Sequence, residues 1–359
     1  MLKKVTNEQD KKFNPEMLVI GRESRALTQK DLANRLGVNQ GWLSRIESNL
    51  RPISDEIVEQ FSNILGYPVE FFYQTDMIYG FGPSELFNRK RQDIPVKKLQ
   101  TIHAQLNLRR MQLTRLLRDV DICEVNIPIF DLMDFDNNIE NIAKTVRALW
   151  HIPPGPIANL SRIIEDNGGI IIPFDFGTPR IDAISLALPK LPPLFFININ
   201  YPGDRMRFTL SHELAHIIMH QKDPNPNMEK EADRFSAEFL MPAKEIRPYL
   251  RNLSIQRLAE LKIHWKVSMA ALLKRAADLG EITERQYRFL WMKMSKLGYK
   301  TKEPLEIPKE VPTLFQEIID VYRNELGYTA KELSKKLNLM EQETRQIYFN
   351  NNKLLKIIK

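Results

Sequence analysis

The chain has 359 residues, of which 43% are apolar and 27% charged, and its formal net charge is +7. This length allows two or three domains, and no stretch approaches the roughly 18 consecutive apolar residues of a membrane-spanning helix. A single cysteine, Cys123, excludes an intramolecular disulfide framework and a cysteine-based zinc knuckle. The first residues lack the apolar segment of a signal peptide, so we expect a cytoplasmic protein without a membrane partner.

Two short helices joined by a glycine turn are predicted in the first domain, residues 1–74. Thr28 and Asn39 are suited to cap the two helices, and Gly37 ends the first of them. Apolar residues at helical spacing form the expected buried side, namely Leu32, Ala33, Leu36, Val38, Leu43 and Ile46. The pattern predicts an all-α domain built on a helix-turn-helix.

This stretch resembles the XRE (Cro/repressor-like) helix-turn-helix family through Leu27-Thr-Gln-Lys-Asp-Leu-Ala-x-x-Leu-Gly-Val38 and Leu43-Ser-Arg-Ile-Glu47. The resemblance implies that residues 28–48 contact an operator in DNA. The third helix would offer Gln40, Gly41, Ser44 and Arg45 to the major groove, and Gln29 would approach a phosphate. Gln and Arg suit this task because they form paired hydrogen bonds with adenine and guanine. The alternative is a helical module for protein contacts, since residues 1–72 carry no net charge.

A linker and a connecting helix are predicted over residues 75–125. The beginning is rich in glycine and aromatic residues, and basic residues follow at 89–91. Leucines between Leu99 and Leu117 then recur at core-like spacing. We expect this helix to pack on the next domain, although its leucines leave a homodimer contact open.

An α+β domain with a helical tail is predicted over residues 126–303. Its first part contains helices at 139–149 and 157–167, and strands at 170–174, 183–188 and 194–200. The strands are short, so we expect a small sheet. The last strand leads through a turn into an apolar helix that carries the most informative motif of the chain.

This motif is the His-Glu-x-x-His pattern from His212 to His216. On a helix the two histidines share one face, so both imidazoles can reach one metal ion. Glu213 lies one step further round the helix, where it can take a proton from a water molecule at the metal. The pattern indicates a zinc site; a helix that carries two histidines by coincidence is the alternative.

A third ligand is needed, because a catalytic zinc ion usually takes three protein ligands. A helix is predicted downstream, from about Glu229 to Leu240. Glu231 and Glu238 both border its apolar side, and a carboxylate in that position needs a partner. Periodicity does not choose between them.

Together the two helices resemble the ImmA/IrrE family of metallo-endopeptidases. The resemblance rests on Arg207-Phe-Thr-Leu-Ser-His-Glu-Leu-Ala-His-Ile-Ile-Met-His220 and Glu231-Ala-Asp-Arg-Phe-Ser-Ala-Glu-Phe-Leu-Met-Pro242. It extends over about residues 140–300. Ser236 and Phe239 stand where the family usually has alanine and leucine, and neither touches the expected chemistry.

The resemblance implies a zincin-like metallopeptidase fold. His212, His216 and Glu231 would then bind Zn²⁺, and Glu213 would be the general base that activates water to hydrolyse a peptide bond in a protein substrate.

Two further side chains have less certain roles in this scheme. Glu238 would support the site or lie at the surface. His220, one turn after His216, would support a ligand, assist an oxyanion or pack in the core, and support is the favoured role.

The last segment, residues 304–359, is predicted to be a small helical region. The spacing of alanine and leucine over residues 329–339, with a turn at Asn338, is again typical of a helix-turn-helix. Basic residues surround it and could contact DNA, namely Lys331, Lys335, Lys336 and Arg345. Solvated helix faces would explain these charges equally well.

The whole chain is therefore predicted to be multidomain and mainly α. Its expected function is that of a DNA-binding transcription regulator fused to a zinc endopeptidase whose substrate is a protein, a repressor being one candidate. Two alternatives stay open: a transcription factor that uses a non-catalytic peptidase fold as a sensor or interaction module, and a toxin–antitoxin component.

Overall fold

The structure is a computed structural model that describes residues 12–80, 94–221 and 225–349. The basic residues predicted at 89–91 and the final residues 350–359 lie outside this part of the chain. The chain divides into two compact units: the first takes its described residues from 12–80, 94–121 and 318–349, and the second from 122–221 and 225–317. In these ranges, the helices are too short or too polar to cross a membrane.

Four helices form the amino-terminal part of the first unit. They are α1 (Pro15–Ser24), α2 (Gln29–Leu36), α3 (Gln40–Glu47) and α4 (Asp55–Leu65), followed by a 3₁₀ turn at Val69–Tyr73. A capping box formed by Thr28 and Asp31 begins α2, and Gly37 ends it in the left-handed conformation. The side chain of Asn39 then caps α3. Local chemistry therefore sets the turn between α2 and α3, as the sequence predicted.

The long helix α5 (Val96–Leu116) belongs to this same unit. It packs against α1, where Gln105 donates a hydrogen bond to the carbonyl of Ser24. Its apolar side is buried at Ile102, Leu106, Met111, Leu113 and Leu116. We expected this helix to pack on the following domain; instead its partner within the chain is the helix-turn-helix unit.

The second unit contains a three-stranded sheet with order β1-β3-β2. Its strands are β1 (Ile170–Phe174), β2 (Ala183–Leu186) and β3 (Leu194–Asn198). β3 pairs with β1 in parallel and with β2 in antiparallel orientation. All five side chains of β3 are buried, because this strand lies in the middle of the sheet.

Helices cover and extend this sheet. They are α6 (Ile139–Leu149), α7 (Leu160–Asp166), α8 (Gly203–Met219), α9 (Met228–Leu240), α10 (Ala243–Ile246), α11 (Ile255–Trp265), α12 (Met269–Asp278) and α13 (Glu284–Lys296). α8 packs against β2, β3 and α9. The prediction of a mainly helical, multidomain chain with a small sheet in its second domain is confirmed.

Carboxylates fix the segment that follows α13. Glu310 accepts hydrogen bonds from the backbone amides of Leu160 and Ser161, at the start of α7, and forms an ion pair with Arg207 of α8. This segment also crosses the first residue of α8 so closely that a side chain at Gly203 would meet the carbonyl oxygen of Pro308 at 2.6 Å. The beginning of α8 is thereby held in place.

The chain then returns to the first unit. It does so within α14 (Leu314–Asp320), whose first four residues still belong to the second unit. After this helix come a π-helical turn at Val321–Glu325, α15 (Ala330–Leu337), α16 (Glu341–Thr344) and a second π-helical turn at Arg345–Phe349. The hydroxyl of Tyr322 donates a hydrogen bond to the carbonyl of Leu116, and that of Tyr348 contacts the side chain of Gln112. Both anchor the last helices to α5. The sequence predicted domain boundaries at residues 74, 125 and 303. The compact units differ from this division, because they group α5 and the last helices with the helix-turn-helix.

Candidate metal centre and nucleic-acid interface

Helix α8 brings the two motif histidines together. Nε2 of His212 lies 3.1 Å from Nε2 of His216, because residues four apart share one face of a helix. The rest of the helix is anchored in the core by Leu210, Leu214, Ile217 and Ile218. His216 is almost fully buried, whereas 18% of the His212 side chain is exposed. The two histidines are therefore held by a buried helix, and the pair is exposed to solvent on the His212 side.

Glu229, in the first turn of α9, supplies the nearest carboxylate to both rings. Its two oxygens lie 3.5 Å from Nε2 of His212 and 3.4 Å from Nε2 of His216. Within the described residues, these three side chains form the one group of histidine, cysteine or acidic residues close enough to hold a metal ion, with ligand atoms all within 4.8 Å of one another. Two imidazole nitrogens and a carboxylate oxygen are the donors of a catalytic zinc site.

The outer nitrogens of both histidines are occupied by hydrogen-bond partners. Nδ1 of His212 lies 2.9 Å from a carboxylate oxygen of Asp233, and Nδ1 of His216 lies 2.9 Å from Nδ1 of His220. Such partners hold the ring in place and would leave the lone pair of Nε2 available to a metal ion. The two outer contacts therefore fix the orientation of both rings, and each Nε2 lies near Glu229.

A chain of hydrogen bonds continues from His216 away from the centre. Nε2 of His220 lies 2.9 Å from an oxygen of Glu231, and the side-chain amide of Asn225 donates to the same oxygen at 3.0 Å. If Nε2 of His216 keeps its lone pair, His216 donates from Nδ1 to His220, and His220 donates from Nε2 to Glu231. This arrangement requires a neutral His220. Burial lowers the pKa of His220 to about 4, so this ring is neutral at pH 7.

The acidic residues around the centre stabilise a positive charge at the centre. Burial alone would lower the pKa of His212, but hydrogen bonds to Asp233 and Glu229 raise it to about 10. Although burial opposes it, hydrogen bonds from His212 and His216 hold the pKa of Glu229 far below its usual range. A site that stabilises a cation and presents two imidazoles and a carboxylate fits a divalent transition metal.

Glu213 lies beside the centre with one oxygen engaged. The hydroxyl of Ser185, on strand β2, donates a hydrogen bond of 2.6 Å to Oε2 of Glu213. Both residues are buried, with 5% and 7% of their surfaces exposed. The sheet thus fixes the orientation of the carboxylate that the sequence singled out as the general base. Sequence reasoning did not find Ser185, because only the packing of β2 on α8 shows that the two side chains meet.

The third-ligand prediction differs from this geometry. Glu231 was the residue implied by the family resemblance, but its carboxylate meets His220 rather than the two motif histidines. Glu229 and Glu231 are two residues apart, so they point to different sides of α9. Glu238 has other partners. Its side chain is buried, accepts a hydrogen bond from the backbone amide of Ala243 and forms an ion pair with Arg275.

The centre opens into a cleft of about 1850 Å³ in the second unit. Its walls include His212, Tyr201, Phe208 and Thr209. Small-molecule pockets usually measure about 300–1,000 Å³, so this cleft has room for a larger ligand such as a segment of polypeptide.

In the first unit, the predicted DNA-contacting residues lie on α2 and α3. Gln40, Gly41 and Arg45 are exposed, and Gln29 and Ser44 are partly buried. The side-chain amide of Gln40 donates to the oxygen of Gln29 at 2.8 Å, so the structure brings these two residues together. The beginnings of α2 and α3 therefore share one surface, as a groove-binding helix-turn-helix requires.

A buried ion pair orients this surface. Arg22 of α1 donates two hydrogen bonds to Glu47, at 2.6 and 3.0 Å, and Gln29 donates to the same carboxylate at 2.8 Å. The side chains of Arg22 and Glu47 are only 8% and 5% exposed. The last residue of α3 is thus tied to α1, which fixes the direction in which α3 presents its exposed side chains.

The fold and the two sites define a chain that joins a helix-turn-helix domain to a domain with a candidate metal centre of the His-Glu-x-x-His type. Comparison with known families agrees. Residues 21–72 match the family described as helix-turn-helix, and residues 169–277 match the peptidase family described as IrrE N-terminal-like domain. No curated protein matches the chain. The predicted combination of a DNA-binding helix-turn-helix domain and an ImmA/IrrE-like domain is confirmed.

Proposed function

We propose that this protein is a DNA-binding regulator that hydrolyses a peptide bond in a protein substrate, using Zn²⁺ held by His212, His216 and Glu229. The single observation that carries the proposal is the position of Glu213. Glu213 follows His212 directly in α8, it lines the same cleft as His212 and Glu229, and Ser185 fixes the orientation of its carboxylate.

The chain's own residues supply the proton transfers. Bound zinc would act as a Lewis acid that polarises the substrate carbonyl and the attacking water. Glu213 accepts a proton from that water while the oxygen of the water attacks the carbonyl carbon of the peptide. Glu213 then passes this proton to the nitrogen of the leaving amine as the carbon–nitrogen bond breaks. Ser185 holds Oε2 of the carboxylate, which leaves Oε1 for the proton in both steps.

DNA binding is assigned to residues 28–48 within the predicted domain 1–74, and hydrolysis to the predicted domain 126–303. Gln40, Gly41, Ser44 and Arg45 would face the bases, and Gln29 would contact a phosphate. A protein substrate suits the size of the cleft, and a DNA-binding repressor is a candidate because the same chain reads DNA.

The test compares the zinc-loaded wild type with Glu213→Gln. Each is incubated with the protein encoded by the neighbouring gene, and fragments are identified by mass spectrometry. We expect the variant to bind zinc normally and to produce no fragments, because an amide cannot accept the proton. Equal cleavage by both proteins would overturn the role of Glu213. If neither protein cleaves but zinc alters DNA binding, the domain is a sensor rather than a peptidase.

A further inference from the structure

The last helices of the first unit repeat the organisation of its helix-turn-helix. Residues 329–349 have the same spacing of key positions as residues 28–48. The equivalent pairs are Thr28 and Thr329, Asp31 and Glu332, Leu32 and Leu333, Leu36 and Leu337, Gly37 and Asn338, and Leu43 and Thr344. The helices also begin at equivalent places, since α2 and α15 each have eight residues and α3 and α16 begin four residues after the preceding helix ends.

The structure gives the paired positions the same physical roles. Thr329 and Glu332 form a capping box at the start of α15, as their counterparts do at the start of α2. Asn338 ends α15 in the left-handed conformation with φ of 51°, as Gly37 ends α2 with φ of 71°. Leu333 and Thr344 are fully buried like their counterparts. One difference is that α16 continues as a π-helix over Arg345–Phe349.

The surface that would face DNA is exposed in this second motif. The counterparts of Gln40, Gly41, Ser44 and Arg45 are Glu341, Gln342, Arg345 and Gln346. Gln342, Arg345 and Gln346 are exposed, and Glu341 is partly so. Glutamine and arginine form paired hydrogen bonds with adenine and guanine, and glutamate accepts from cytosine. These residue types are therefore able to read bases.

Other faces of the motif attach it to the unit. The carboxylate of Glu343 accepts hydrogen bonds from Arg25 at 2.7 and 3.2 Å, and Tyr348 packs into α5. Lys336 forms an ion pair with Asp119. Because these anchors lie beside the base-reading positions and not on them, attachment leaves the exposed surface available.

The acidic residues of the second motif are engaged within the protein. Glu332 caps its own helix, Glu343 pairs with Arg25, and Glu341 pairs with Arg345 on the surface. Lys331 and Lys335 of α15 are exposed. An exposed ion pair is worth little, so Arg345 can exchange its partner for a base or a phosphate at small cost.

A look-alike in the second unit lacks these properties. Helices α11 and α12 also form a helix-turn-helix arrangement, but α11 is three residues longer than α2. The backbone amides of Met269 and Ala270, at the start of α12, are taken by the carboxylate of Glu303. Met269 is also fully buried. That pair serves packing, and the contrast shows that the arrangement alone does not leave a surface for DNA.

We propose that residues 329–349 form a second DNA-contacting helix-turn-helix, so that one chain binds duplex DNA at two places. Lys331 and Lys335 contact phosphates, while Gln342, Arg345 and Gln346 face a major groove. This inference rests on the proposed DNA binding by residues 28–48. Two DNA-binding motifs in one chain bind more tightly together than either does alone. Once the first motif is bound, the second is held at a high effective concentration near the DNA.

A salt titration tests the phosphate contacts. The full chain binds a labelled mixed-sequence duplex of about 40 base pairs, long enough for half-sites one or two helical turns apart. We expect Lys331→Ala combined with Lys335→Ala to reduce the slope of log affinity against log salt by about 1 for each lost contact. Lys296→Ala, an exposed lysine of the second unit, serves as the matched control. An unchanged slope in the double variant would overturn the proposal.

A selection from duplexes with a random centre tests base reading. The wild type should enrich two sequence blocks, Arg45→Ala should lose one block, and Arg345→Ala should lose the other. If the wild type enriches a single block that only Arg45→Ala removes, the second motif does not read DNA and the first still does. If neither variant changes the enriched sequences, both assignments fail. Circular-dichroism melting of each variant verifies that its fold is intact.

Discussion

The identity of the third metal ligand can be decided by comparing Glu229→Gln with Glu231→Gln. Both changes keep the size of the side chain and remove its charge. The oxygens of Glu229 lie 3.4 and 3.5 Å from the Nε2 atoms of the two motif histidines, whereas that of Glu231 lies 2.9 Å from Nε2 of His220. We therefore expect Glu229→Gln to remove a ligand and Glu231→Gln to disturb only the support of one.

The expected losses of zinc affinity differ in size. Replacing a residue that orients a ligand typically costs about 10–100-fold in metal affinity, which corresponds to about 1.4–2.7 kcal/mol. Glu231 acts on the metal through His220 and His216, so its variant should fall in this range. Glu229→Gln should lose more than about 100-fold, because two imidazoles alone make an incomplete site.

The assay is competition for Zn²⁺ between the metal-free protein and a chromophoric chelator. The absorption of the Co²⁺-loaded protein reports separately on ligand geometry, and it should change strongly for Glu229→Gln and weakly for Glu231→Gln. Glu284→Gln, an exposed carboxylate on α13, provides a control that should match the wild type. A larger loss for Glu231→Gln than for Glu229→Gln would refute the reasoning and restore the ligand set that the family resemblance implied.

Three further changes probe the supports of the two sites. Ser185→Ala should reduce kcat about 10- to 100-fold at unchanged KM and zinc content, because a hydrogen bond to a charged group contributes about 1.5–3 kcal/mol. Ser185→Thr should restore activity by again orienting Glu213. Gly203→Ala should destabilise the protein by about 1–3 kcal/mol in denaturant unfolding, since the added methyl group would collide with backbone carbonyls; a gain in stability would contradict this packing. Glu47→Ala should cost about 3–5 kcal/mol in the unfolding of the DNA-binding unit because it leaves Arg22 buried without its partner, and a loss under 1 kcal/mol would show that the pair is dispensable.

Local features of the fold were predictable from the sequence. Thr28, Gly37 and Asn39 act on their own neighbours, so their capping chemistry shows the helix-turn-helix without knowledge of the rest of the chain. The strand at residues 170–174 was also placed correctly, because a short apolar run between a glycine pair and a polar segment allows little else. The spacing of His212 and His216 is equally local, since one turn of helix brings the two rings together.

Contacts between distant segments were less predictable. The leucines of α5 indicate a buried face, but they do not say which element covers it. The structure places this helix against α1 and anchors the last helices to it through Tyr322 and Tyr348. The sequence separation exceeds 200 residues in these anchors, and no periodicity reports on a contact of that kind.

The third metal ligand was only partly predictable from the sequence. Family resemblance selected Glu231, which does belong to the centre, but it assigned that residue a direct bond where the structure shows a hydrogen bond to His220. The difference between Glu231 and Glu229 follows from rotation about the axis of α9. A helix turns by about 100° for each residue, so side chains two residues apart point in directions that differ by roughly 200°. A resemblance that identifies the helix therefore does not by itself decide between the two carboxylates.

A signal for Glu229 was nonetheless present in the sequence. Glu229 and Asp233 are four residues apart on α9, as His212 and His216 are on α8, so each helix carries a matched pair on one face. Asp233 contacts His212, and Glu229 approaches both histidines. The two pairs together place one carboxylate next to both Nε2 atoms and the other behind the imidazole of His212. Glu231 has no partner four residues later that could act in this way, since that position is Phe235, which is buried in the core.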